Sequence, residues 1–257
     1  MIPIGDSVRS RTFPFVNMTI ITLNVLFFAY ELTLSSTQRS PLGLSELDAF
    51  FFHWGTIPAC LADRFGYDPD VSTRALALYC TTNEPVGSVF YSMFLHGGWL
   101  HLLGNMVFLW VFGDNVEDAM GHVRYAFFYL VVGLAATATH VGASQDDLLP
   151  TIGASGAIAG VLGAYAVLYP RARVITIVPF LFFIPLAIPA VFLIGLWFVM
   201  QLFNGYAALA ATDVVNADGG IAWFAHIGGF IAGAILVKLF VIGRSVPPAR
   251  ARGRAFR

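Results

Sequence analysis

Charge is scarce in this sequence. Asp, Glu, Lys and Arg together make up 11% of its 257 residues, where a soluble domain carries about 25%. With 58% of the residues hydrophobic, a water-soluble surface is excluded, and the chain reads as a polytopic membrane protein with one compact domain. The net charge of −1 says less than its distribution, and no nucleic-acid partner is expected. Cysteine is nearly absent as well. Cys60 and Cys80 both fall between the first two apolar runs; on an oxidising side of the membrane they could pair, and otherwise they are two free thiols. No cleavable leader is expected either. Arg9 and Arg11 precede an apolar run from Phe13 to Tyr30, but the run is long and carries Asn17, Thr19, Thr22 and Asn24. It ends at Glu31 without a small-residue cleavage site, so it reads as a retained first span.

What is there instead is a series of apolar stretches. A helical span needs about 20 mostly apolar residues, and candidates fall at 13–32, 96–113, 123–143, 154–170, 177–202 and 221–242. The fourth is short and glycine-rich, which predicts tilting or shielding by its neighbours. Lipid leaves no other partner for backbone polar groups, so the expected fold is all-α: a polytopic bundle of six transmembrane helices. No internal repeat is evident. Residues 1–12 are expected as a cytoplasmic segment, 13–243 as the membrane domain and 244–257 as a disordered basic cytoplasmic tail.

With six spans both termini share a side. Placing them in the cytoplasm puts Arg9, Arg11, Arg124, Arg171, Arg173, Arg244, Arg250, Arg252, Arg254 and Arg257 inside. Only Arg39, Arg64 and Arg74 fall outside, all in a first outer loop of about 34–95, while the other outer connections hold Asp146, Asp147, Asp213 and Asp218. That bias sets the orientation. The location expected from it is the plasma (inner) membrane. Within the long loop, "FFHWGTIP" (51–58) and "ALALYC" (75–80) are too short to span and suit an interfacial segment.

Polar residues inside such spans are costly and call for a functional explanation. The second span enters from outside with His96 at its rim; His101 lies roughly 8 Å deeper and Asn105 roughly 14 Å deeper. These last two are four residues apart and share a face. Ser155 opens the fourth span at its outer N-terminus, where free N–H groups and the helix dipole favour negative charge. His226 lies about a turn and a half into the sixth span. A serine, a histidine able to take its proton, and imidazole or amide donors at one depth are the parts of a nucleophilic acyl-transfer site. With no carboxylate in the spans placed to orient the base, a Ser–His dyad is the simplest reading.

Each feature has a blander rival. Gly153, Gly156, Gly160, Gly163, Gly229 and Gly233 are small-residue spacings that let helices touch. A lone membrane serine usually bonds its own helix, and Asn105 could join helices. His96, His101, His140 and His226 raise a metal site, but "HGGWLH" lacks the H-E-x-x-H pattern. An aspartyl site would want two membrane aspartates, and Asp114 has no partner within the apolar runs. A transporter would place charged pairs near the midplane, whereas this cluster is shallow. No metal and no cofactor is expected.

Three motifs then carry a resemblance: His96-x4-His101-x3-Asn105, Gly153-x-Ser155-Gly156 and Ala225-His226-x-Gly228-Gly229. In this order, on these spans, the chain resembles the rhomboid family of intramembrane serine proteases over nearly all of its six-span body. "FGDNVEDAMGHVR", with Glu117-x3-Gly121, is similar to the family's cytoplasmic turn. The resemblance implies Ser155 as nucleophile and His226 as general base. It implies an oxyanion hole of the Ser155 N–H, His101 and Asn105, with His96, Gly153 and Gly156 in support. Glu117 and Gly121 would be structural. The fifth span, with Pro179, Pro185 and Pro189, and "NGYAALAATDVVNADGG" after it would form a mobile gate and cap. Two positions depart from the family pattern. Ala159 replaces an aromatic residue that often stacks on the histidine, with Trp223 or Tyr165 as substitutes; "VGSVFYSMF" stands where a Trp-Arg pair is often found.

The activity expected is an endopeptidase acting on transmembrane protein substrates within the lipid bilayer. The alternative is a non-enzymatic relative that binds or escorts membrane clients.

Overall fold

The computed structural model describes residues 1–38, 43–177, 184–210, 222–246 and 248. Helices dominate. Three are long and apolar enough to cross a membrane: His122–Ala143, Ala190–Ala207 and Trp223–Phe240. Pro85–Phe94 and Trp99–Met120, bent by 79°, would together make a fourth span, and Phe15–Glu31 and Ser155–Leu168 are shorter apolar helices. The protein is thus a multi-pass membrane protein.

The first helix, α1 (Phe15–Glu31), carries the asparagines that interrupt its apolar run. Asn17 is a buried crosslink. Its amide donates to the carbonyl of Leu109 at 3.0 Å, where a π-helical stretch (Leu109–Gly113) breaks the regular ladder, and its oxygen accepts from the Tyr125 hydroxyl at 2.9 Å. The start of α1 is capped from elsewhere. The buried Glu117 carboxylate accepts from the N–H groups of Val16 and Asn17 at 3.0 and 2.7 Å, donors that no helix can satisfy internally. Arg11 pairs with Asp118 at 3.0 Å, and Arg244 donates to the carbonyls of Asp118 and Ala119. These contacts gather the arginine-rich segments at one end of the bundle.

The loop after α1 folds into four short helices: α2 (Glu46–Trp54), α3 (Pro58–Arg64), α4 (Thr73–Cys80) and α5 (Pro85–Tyr91). Ser45 and Asp48 form a reciprocal capping box that starts α2. Cys60 and Cys80 are joined in a disulfide with Cα atoms 5.4 Å apart. Asn83 donates to the carbonyls of Phe52 and Gly55 at 2.8 and 2.9 Å. Thr56 bridges Thr151 across the top of the bundle.

Next come α6 (Trp99–Phe108), α7 (Asp114–Met120), α8 (His122–Ala143) and α9 (Ser155–Leu168). Residues 156–165 of α9 are buried throughout; its neighbours shield it, as its shortness predicts. The tightest of those neighbours is α11 (Trp223–Phe240), where backbone meets backbone: a Cβ on Gly233 would stand 1.9 Å from the carbonyl oxygen of Gly160. Only small residues permit that approach.

The all-α expectation needs a correction. A three-stranded antiparallel sheet, ordered β1 (Ile2–Asp6), β2 (Arg173–Ile177) and β3 (Pro185–Pro189), lies at the arginine-rich end. It overturns the expected fifth span at 177–202, because the helix there, α10 (Ala190–Ala210), begins only after Pro189. Hydropathy reads Ile177 to Ala190 as lipid-soluble. The physical signal runs otherwise: Val174, Ile175, Thr176 and Ile177 are β-branched, and Pro185 and Pro189 bound an edge strand that tolerates missing donors. The carbonyls of Ala172 and Pro170 accept the first N–H groups of α10, from Ala190 at 2.7 Å and Val191 at 3.3 Å. Pro179, residues 211–220 of the expected gate and most of the basic tail lie outside the described residues.

Candidate active site

Ser155 is the first residue of α9, so its N–H has no acceptor within the helix. The turn that delivers it passes through Gly153 at φ +125°, a conformation that glycine adopts without strain. The Gly153 N–H is held by the carbonyl of Ser92 at 2.8 Å. A Cβ at Gly153 would also stand 2.6 Å from Nε2 of His101. The imidazole edge carrying Nε2 and Cε1 of His101 therefore lies close against Gly153, in the turn that leads into Ser155.

His226 comes from the first turn of α11. Its Nε2 is 2.8 Å from Oγ of Ser155. On the other side of the ring, Nδ1 is 2.8 Å from Oε1 of Gln201, on α10. With Nδ1–H donating to that oxygen, Nε2 keeps its lone pair and accepts from the serine hydroxyl. Although position 159 is alanine, two other rings meet His226: the Trp197 ring lies 5.9 Å from it, and Trp223 meets it edge-on at 6.2 Å. Tyr165, the other expected substitute, faces the opposite end of the bundle and donates its hydroxyl to Asp6.

Asn105 and His96 form a second pair. The Asn105 amide donates one N–H to Nε2 of His96 at 3.0 Å, and Nδ1 of His96 donates to the carbonyl of Phe94 at 3.3 Å. The His96 backbone N–H is taken by the Glu31 carboxylate at 3.1 Å. His96 thus fixes the plane of the Asn105 amide and leaves that amide a second N–H. The rings of His96 and His101 sit 5.0 Å apart, edge to face.

The four histidines of the metal reading divide among different partners. His140 bonds the Thr151 hydroxyl at 2.9 Å, and among the described residues no three His, Cys, Asp or Glu side chains gather as ligands. Instead a cavity of about 30 Å³ adjoins Ser155, lined by the polar side chains of Thr56, Ser92, Thr137, His140 and Thr151. It is roomy enough for a water molecule, which these hydroxyls and the imidazole could hydrogen-bond within an otherwise mostly apolar lining.

The expected residues Ser155, His226, His101, Gly153 and Gly156 meet at one place, with Asn105 held beside them by His96. Gln201, Trp197 and Glu31 were missed. Gln201 carried the same signal as the others, an amide within an apolar helix. Chemically the arrangement offers a hydroxyl whose proton has an acceptor, beside N–H donors for a developing negative charge.

Comparison with known proteins identifies the family. The family model described as Rhomboid domain matches residues 83–242. The chain is 27% identical over 205 residues to the bovine (Bos taurus) presenilin-associated rhomboid-like protein, mitochondrial, covering 78% of this chain and 48% of that protein. It is 29% identical over 152 residues to Rhomboid protein 1, mitochondrial, of Saccharomyces cerevisiae, covering 58% and 40%. RHOMBOID-like protein 5 of Arabidopsis thaliana is 36% identical over 72 residues, 28% of this chain and 23% of that protein. The chain therefore spans less than half the length of these relatives.

Proposed function

The chain belongs to the rhomboid family, and from that premise we propose that it is an intramembrane serine endopeptidase that cleaves transmembrane helices of membrane proteins near the outer boundary of the bilayer. The observation that carries this reading is the 2.8 Å contact between Ser155 Oγ and His226 Nε2, two side chains on different helices. In this mechanism His226 takes the hydroxyl proton as Oγ attacks the scissile carbonyl. The tetrahedral oxyanion is held by the Ser155 N–H, His101 and the second N–H of Asn105. As the intermediate collapses, His226 passes its proton to the leaving amine. Water drawn through the cavity beside His140 then attacks the acyl-enzyme, with His226 again as base. A substrate helix must unwind locally, because its carbonyls are hidden in its own hydrogen bonds.

The same reading takes residues 13–243 as six spans with the arginine-rich end in the cytoplasm, both termini included, and the site opening outward. Two shorter apolar helices and the bent pair would complete the count of six. The expected plasma (inner) membrane gains no support from relatives whose names place them in mitochondria.

The test is cleavage of a single-span substrate in liposomes by wild type and by Ser155→Ala. Cleavage by wild type alone supports the proposal. Equal cleavage by both ends the serine mechanism, and cleavage by neither leaves the client-binding alternative.

A further inference from the structure

We propose that Gln201 is the third member of the Ser155–His226 unit, a positioning residue that holds the base in the one tautomer able to accept the serine proton. The inference rests on the protease reading and deepens it. Gln201 is 5% exposed, on a helix whose other face is apolar. An amide in that setting must find partners. Its nitrogen donates back to the carbonyl of Trp197 at 3.4 Å, one turn earlier on the same helix. That contact turns the oxygen toward the imidazole, 2.8 Å from Nδ1.

An amide oxygen can only accept. Nδ1 must therefore carry the proton, and Nε2 presents its lone pair to Ser155 Oγ. With the opposite tautomer Nε2 would donate, and the serine would keep its hydrogen. A carboxylate could also accept from Nδ1, but it would bring a net charge into a lipid-embedded site. Among the described residues, the other titratable groups acting on His226 are His101 and His140, neither of them an acid. A neutral amide supplies orientation without that burden. It also explains how a histidine without an aromatic residue at position 159 is kept in register: α10 provides both the Trp197 ring and the acceptor.

The experiment follows Ser155 labelling by a fluorophosphonate probe, and cleavage of a single-span substrate, against pH. Wild type, Ser155→Ala, Gln201→Leu and Gln201→Glu are compared in detergent. Gln201→Leu removes the acceptor at similar volume; labelling and kcat are expected to fall about 10- to 100-fold with KM unchanged. Gln201→Glu restores an acceptor. It is expected to recover most of the rate, with the acid limb of the pH–rate profile moved up by about one unit, because the new charge favours the protonated ring. Equal labelling of Gln201→Leu and wild type would overturn the proposal. So would a Gln201→Glu profile whose acid limb coincides with wild type, which decides the matter alone should Gln201→Leu fail to fold. A wild type labelled no faster than Ser155→Ala would instead remove the protease reading itself.

Discussion

Gly229 of α11 lies directly on the carbonyl of Gly156 in α9: a Cβ at Gly229 would stand 2.1 Å from that oxygen. Each of these glycines is close in sequence to a member of the proposed dyad, His226 on one helix and Ser155 on the other. The interhelical distance set by the glycines therefore sets the Oγ–Nε2 distance. Gly229→Ala must push the helices apart, since the obstacle is backbone and cannot rotate away. Overpacking of this kind costs about 1–3 kcal/mol. The expected result is a protein with native helix content, a lower melting temperature and fluorophosphonate labelling reduced by about tenfold or more. Labelling at the wild-type rate would show that the glycine contact does not control the site.

Asn105 and His96 separate donor from orienter. Asn105→Ala removes an oxyanion donor, and kcat is expected to fall about 10²–10³-fold with little change in KM. His96→Ala leaves the amide in place but frees it to rotate, so a smaller loss is expected, about tenfold. In the double variant the His96 effect should vanish, because there is no amide left to orient. Steady-state kinetics on the three proteins measures this; fully additive losses would mean that His96 acts elsewhere.

The disulfide ties α3 to α4 within the long connection after α1 and closes a span of 20 residues. A loop of that size is worth about 3 kcal/mol when its ends are joined. Because no reacting residue lies in the loop, reduction or Cys60→Ser/Cys80→Ser should lower the melting temperature by several degrees while leaving labelling of Ser155 near the wild-type rate at low temperature. Thermal unfolding in detergent with and without reductant checks the first part. Loss of labelling in the folded, reduced protein would give the loop a part in the site.

How much of this was legible in advance differs from residue to residue. The layer holding Ser155, His226 and His101 follows from helix rise and from the direction of each span, since both are fixed by lipid and charge. Glycine spacing gave the close approach of α9 and α11 in the same way. Gln201 obeys that rule too, but a fifth span drawn at 177–202 left it as a terminal residue instead of a partner for His226. The sheet was hidden for a related reason: hydropathy counts Ile177 and Pro185 as lipid-compatible and ignores what β-branching and proline do to the backbone. Pairings such as Glu117 with the start of α1 join residues about a hundred positions apart, and no local pattern records them.

Asp6 sits in β1, at the end of the bundle away from Ser155, and it is held unlike an ordinary aspartate. Burial raises its pKa to about 7; the neighbouring Asp114 adds to this, against hydrogen bonds from Tyr165, the Val8 N–H and Asn115. In the unfolded chain the same carboxyl titrates near 3.9. Between those values the folded protein holds a proton that the unfolded chain has released, so unfolding becomes easier as pH rises through this window. Below about pH 4 both states are protonated; above about pH 8 both are ionised and the loss is complete. Asp6→Asn removes the titration and keeps an acceptor for Tyr165 or Val8. The melting temperature of the variant relative to wild type is therefore expected to climb by a few degrees between pH 5 and pH 8, and to level off beyond. A constant difference across that range would mean that Asp6 titrates as it does in water, and that its place between Tyr165 and Asn115 carries no electrostatic strain.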